Sequence, residues 1–267
     1  MVGFVYHLRR YFFLAKEEWL GVLITALFAG FALSFRNWGG ETFDLLLGLK
    51  NYGIEVVAFF LLFLLHLSAQ KAVGVYYGIK VVYDKYLLGL MIGLFVTFLS
   101  FGYWPLFVTG TLAFTAIPNL RVGKFRATLP KKWEIALIAA AGPLASLLAM
   151  VPLNALHIGT GLPFFHHLIG VCALIAIYSM LPIPVLPTAN PYAVYMSRIE
   201  VLEGNLPGFD VFYHSAGIYC LLVGFLIVFS AIAWFFSPST WALLIAIILG
   251  WWAMHLYAKT IAEHRNW

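Results

Sequence analysis

Charge is what this chain has least of. Only 10% of its 267 residues are Asp, Glu, Lys or Arg, while 63% are hydrophobic and the mean hydropathy is +0.93. A typical soluble domain carries about 25% charged residues. Polar side chains are too few to cover a globule in water, so the surplus apolar surface must face hydrocarbon. That excludes a soluble enzyme, a disordered tail and a nucleic-acid module. The net charge of +5 is read as loop charge that orients the chain in a bilayer. Cysteine is nearly absent too. Cys172 and Cys220 lie in apolar runs without C-x-x-C spacing, which excludes a disulfide framework and a thiolate metal site and leaves two small buried hydrophobes. A cleavable leader is not expected either: residues 1–19 carry Arg9, Arg10, Lys16, Glu17 and Glu18, and no small-residue cleavage pattern follows. Internal repeats and low-complexity tracts are missing, which weakens a transporter built from inverted halves.

What is there is a series of apolar runs, near 19–35, 54–70, 86–102, 134–155, 163–185, 211–237 and 240–257. A helix needs about 20 apolar residues to cross a hydrocarbon core about 30 Å thick, so the expectation is an all-α polytopic membrane protein with about seven transmembrane helices. The stretch 103–117 is short, interrupted by Pro105 and Gly110, and carries Thr109, Thr111 and Thr115. It predicts a non-helical membrane segment covered by other protein, since bare backbone is not tolerated in lipid. If this segment crosses and the amino terminus is cytoplasmic, fourteen Lys and Arg fall inside and two, Arg36 and Lys50, outside. If it only dips, the count becomes six inside and ten outside, so the positive-inside rule favours crossing and puts both termini in the cytoplasm. The expected division is an N-terminal region with the first span (1–53), a membrane core (54–200) and a C-terminal pair of helices (201–267). Trp19, Trp38, Trp104, Trp133 and Trp241 stand near run ends as headgroup anchors, and Gly89 with Gly93 forms a G-x-x-x-G packing face.

Polar groups inside apolar runs carry the functional information, because each is costly there. His66 and Gln70 are four residues apart and share one helix face. In a zinc peptidase, H-E-x-x-H at this spacing offers two imidazoles to the metal and a Glu between them as general base. Here Leu67 stands at the Glu position and Gln70 at the second His.

The surroundings of His66 match more. His66-Leu-Ser-Ala-Gln-Lys71, then Tyr77-Gly78, then Leu87-Leu-Gly-Leu90 resembles the H-E-x-x-H-K…Y-G…G-L stretch of archaeal-type site-2 proteases, the intramembrane zinc metalloproteases. Ala140-Ala-Gly-Pro-Leu-Ala145 resembles their A-G-P-L-x-N segment, with Ser146 at the Asn position. Ser179-Met-Leu-Pro-Ile-Pro-Val-Leu-Pro-Thr188 resembles N-L-L-P-I-P-P-L-D-G. The three stretches occur in family order and span roughly 60–200, while 1–50 and 205–267 match nothing in that pattern. The resemblance implies a site-2-protease-like helical bundle in which the metal ligands fall on His66, Gln70 and Pro187 and the general base on Leu67. Only His66 keeps the family's residue.

Zinc held by one imidazole and a neutral amide lacks the three protein ligands of a catalytic site, and without a Glu a metal-bound water has no proton acceptor, a deficit of about 10²–10⁴ in rate. A substitute set from His166, His167 or His214 is the alternative, although the adjacent pair point about 100° apart on a helix. The implied cleft falls on Gly142, Pro143, Pro182, Pro184 and Asn190; the prolines equally serve to end a helix at the membrane surface. For His66 the competing roles are metal ligand and hydrogen-bond partner of a carbonyl or of Gln70, the second favoured. The basic run Arg121–Lys132 is explained by attraction to anionic headgroups.

The expected protein is thus a catalytically inactive, site-2-protease-like membrane protein without a cofactor. It binds a transmembrane helix of another protein or a membrane complex, in contact with the lipid bilayer and with no nucleic acid. The alternatives are an active metallopeptidase with unusual ligands, holding zinc, and an embedded subunit of a larger assembly.

Overall fold

Between Leu45 and Tyr76 the chain holds no proline. Asp44 ahead of it offers its carboxylate to the free amides of the first turn, accepting from Leu46 N at 2.9 Å and Leu47 N at 3.0 Å. One helix of 32 residues results, about 48 Å long. In the computed structural model, which describes residues 3–39, 43–117, 132–183, 201–202, 205–236, 239–250 and 252, this helix is α3 in the order α1 (Gly3–Tyr11), α2 (Lys16–Ser34), α3 (Leu45–Tyr76), β1 (Ile79–Asp84), α4 (Leu87–Leu99), β2 (Thr111–Ala116), α5 (Lys132–Thr160), α6 (Pro163–Ser179), β3 (Val201–Leu202), α7 (Pro207–His214), α8 (Ala216–Phe235) and α9 (Thr240–Gly250).

The chain is mostly helical and suited to a bilayer. Among the described residues four helices, α2, α3, α5 and α8, are long and apolar enough to cross a membrane. The 86–102 and 163–185 runs give shorter helices for local reasons, while the described part of the 240–257 run is helix over Thr240–Gly250 and at residue 252. Phe101 (φ 52°) and Gly102 (φ 74°) turn the chain just after α4. Pro182 follows the end of α6, and Ser215 divides the 211–237 run by capping α8 at Ile218 N. The helix of the 54–70 run begins ahead of that run, at Leu45, because Asp44 caps it there.

A small sheet departs from the all-helical expectation. The 103–117 segment is non-helical as its composition suggests, and its Thr111–Ala116 half is the middle strand of an antiparallel sheet in the order β1-β2-β3. Ile79 faces Ala116 and Asp84 faces Thr111, with Phe114 opposite Leu202 on the other side. β2 is thus paired along its whole length on one edge and at Phe114 and Thr115 on the other, which helps extended backbone survive among apolar helices. Gly78 (φ 72°) makes the turn out of α3 into β1, and alternation puts Ile79, Val81 and Tyr83 inward. These residues form one core with Phe59, Phe63 and Leu67 of α3 and Val22 and Ala26 of α2. A second core joins α5, α6, α7 and α8 around Met150, Ile169, Val211 and Leu226. The G-x-x-x-G face of α4 meets extended backbone instead of another helix: a Cβ on Gly93 would strike the carbonyl of Leu106, and one on Gly89 would lie 2.9 Å from Val108.

Candidate functional site

Two hydrogen bonds and one glycine join α3 to α5 at the residues the sequence singles out. His66 Nδ1 lies 3.0 Å from Ser146 Oγ, both side chains buried, and the ring stacks on Phe63 with centroids 5.8 Å apart. One turn along α3, Gln70 Nε2 donates to the carbonyl of Ala139 at 3.2 Å. That carbonyl is four residues before Pro143, which has no N–H to return the helical bond. The proline thus frees an acceptor inside α5, and the Gln70 amide fills the gap from the neighbouring helix. Gly142 sits between the two contacts. A Cβ there would collide with the His66 imidazole and come within 2.6 Å of Gln70 Nε2, so only a hydrogen lets the helices approach this closely.

This arrangement does not fit a zinc ion. The Nε2 face of His66 abuts α5 at Gly142, and the donor end of Gln70 is turned to a carbonyl. Leu67 is buried in the apolar core with Phe63 and Phe114. Among the described residues no group of three His, Cys, Asp or Glu is placed to hold a metal. Pro184, Pro187 and Asn190 lie outside the described residues, as does the run 121–131; Pro182 is exposed just beyond α6. The three further histidines do not converge either. His167 Nε2 lies 2.7 Å from Glu55 Oε1, His166 stacks on Trp234 with centroids 4.6 Å apart, and His214 is in the last turn of α7.

A second polar centre was not anticipated. Glu18 of α2, buried, accepts from Lys71 Nζ at 2.7 Å and from Tyr83 N at 2.8 Å through Oε1, while Oε2 accepts from Ala15 N at 2.7 Å. One carboxylate therefore caps the start of its own helix, neutralises the lysine next to Gln70, and covers the free edge of β1. Nothing local in the sequence pairs Glu18 with a residue 53 positions away. Asp210 was missed as well. It is the only acidic residue between 205 and 236, the signal by which it was detectable. It is buried in α7, where desolvation pushes its carboxyl up to about 7 against the opposing hydrogen bonds from Asn205.

Comparison with family models, with curated proteins and with solved structures finds no match to this chain.

Proposed function

We propose that this chain is a non-catalytic membrane scaffold of site-2-protease-like organisation that engages a transmembrane helix of a partner protein. The observation that carries the reading is the clamp between α3 and α5. His66 and Gln70, the positions at which the resemblance implies metal ligands, engage Ser146 through Nδ1 and the carbonyl freed by Pro143 through Nε2, respectively. A catalytic zinc needs three protein ligands and an open fourth position, and among the described residues no group of three His, Cys, Asp or Glu is placed to supply them. The use of His66 and Gln70 in interhelical hydrogen bonds supports a role in which the architecture persists without the chemistry.

A groove of about 660 Å³ between α3 and α6, lined by Leu49, Gly53, Val57, Leu61 and Phe164, supports the helix-binding part. Among the described residues no atom outside α3 lies within 4 Å of where a Cβ on Gly53 would stand, so a second helix backbone has room to approach. The test is a photo-crosslinking amino acid at Gly53, with the same probe at lipid-facing Val228 as the control. Repeated recovery of one membrane protein from native membranes at Gly53 and not at Val228 supports the scaffold. Adducts with lipid alone at both positions, or cleavage of a transmembrane substrate by purified protein that chelators abolish, would overturn it.

A further inference from the structure

A crevice of about 380 Å³ runs between α6 and α8 and is closed on one side by Leu33 of α2. Its walls are almost wholly apolar, with two exceptions that fall near one end. The helices are antiparallel: Tyr219 OH donates to the carbonyl of Met180 at 2.7 Å where α8 starts and α6 stops, and Trp234 seats on Gly170 toward the opposite end. His167 and Ser230 are on that second end with Trp234, while Ile177 and Ile227 lie deeper.

Ser230 is the informative residue. It is 4% exposed, it lines the crevice, and its hydroxyl has no hydrogen-bond partner among the described residues. A hydroxyl left alone in apolar surroundings is costly, and helical serines commonly bond back to their own helix. This one does not. His167 is held in place by Glu55, Nε2 to Oε1 at 2.7 Å, so the charge at the mouth is balanced by a carboxylate on α3. The volume falls within the range of small-molecule sites. At about 30 Å³ for each water-sized group it takes roughly a dozen chain carbons, enough for one hydrocarbon chain and not two.

We propose that this crevice binds a neutral single-chain amphiphile, of the monoacylglycerol or long-chain alcohol class. The chain lies along Ala173, Leu174 and Ile177, and the oxygen-bearing head meets Ser230 Oγ near His167. A neutral head follows from the balanced His167–Glu55 pair, which supplies no net positive charge for a carboxylate. The orientation is that of a lipid in the leaflet, polar end outward, beside Trp234 at the level where indoles anchor. The site is separate from the α3–α5 clamp and does not depend on how the clamp is read.

The full chain, purified into phosphatidylcholine nanodiscs, is labelled with a monoacylglycerol carrying a diazirine in its chain, and the adducts are mapped by mass spectrometry. Labelling concentrates on α6 and α8 at the crevice and is competed by unlabelled monolaurin, but not by equal amounts of dodecane or laurate. Ser230→Ala weakens the apparent affinity about three- to tenfold, the worth of one hydrogen bond, and leaves the unfolding temperature without ligand unchanged or higher, because the hydroxyl has no partner to lose among the described residues. Ala231→Phe, which fills the crevice from α8, removes the labelling; unfolding curves show whether that variant is folded. Labelling spread evenly over the lipid-facing helices, equal competition by dodecane, tighter binding of laurate, or a partner helix crosslinked to Ala231 in place of lipid would each overturn the proposal.

Discussion

Gln70 and Pro143 should behave as one unit. Replacing Gln70 by Leu removes the donor that lies 3.2 Å from the carbonyl of Ala139 and leaves that oxygen buried between α3 and α5. An orphaned buried acceptor costs about 1–3 kcal/mol, whereas interhelical hydrogen bonds in membrane proteins average only about 0.6 kcal/mol with a maximum near 1.7. Because residue 143 is proline and offers no N–H to take over the carbonyl, the upper part of that overlap applies, about 1–2 kcal/mol. Pro143→Ala restores an N–H four residues after Ala139 and lets α5 satisfy the carbonyl itself. Gln70→Leu should then cost less than about 0.5 kcal/mol in the Pro143→Ala background, a coupling of about 1 kcal/mol, well above the scatter of independent sites. Equilibrium unfolding of the four proteins in one detergent, followed by tryptophan fluorescence, gives the cycle. Strict additivity of the two changes would mean that Gln70 does not serve the proline-freed carbonyl.

Two further outcomes follow from the buried charges. Glu18→Leu should destabilise more than Lys71→Met. The first strands a buried ammonium along with Tyr83 N–H and Ala15 N–H, which for a broken buried pair costs about 3–5 kcal/mol. The second leaves the carboxylate its two backbone donors; equal losses in thermal unfolding would remove Glu18 from its role at the β1 edge. Asp210 predicts a pH dependence. Its carboxyl rises from 3.8 to about 7 on folding, so the folded state holds the proton more tightly, and this contribution to stability is full below about pH 4 and lost as pH rises through about 7. The ceiling is about 4 kcal/mol, and Asp210→Asn should gain on the parent between about pH 5 and 8; a constant difference across that range would contradict the assignment.

What the sequence discloses and what it hides divide along physical lines. The pairing of His66 with Gln70 is legible because helical spacing alone puts residues four apart on one face. The A-G-P run is legible as a close-packing segment for the same kind of local reason, since glycine and proline act on their own backbone. That Ala139, and not a metal, is the partner of Gln70 is not legible, because it depends on which turn of α5 meets which turn of α3. The sheet is half legible. Pro105, Gly110 and the threonines mark 103–117 as non-helical, but β1 is only six residues between two apolar helices and gives no separate signal. Run lengths overstate the helices for a related reason: hydropathy does not register Gly102 or Ser215, where backbone turns and caps divide the chain. The Glu18–Lys71 pair and the Glu55–His167 pair join elements far apart in sequence, and no periodicity reports them.

The central claim is that the imidazole of His66 serves Ser146 and the packing at Gly142 instead of a metal. Metal analysis of the purified full chain, loaded with excess zinc and then desalted, tests this directly against His66→Ala. Zinc should stay well below one equivalent in both proteins, with no difference between them. One equivalent retained by the parent and lost from His66→Ala would contradict it.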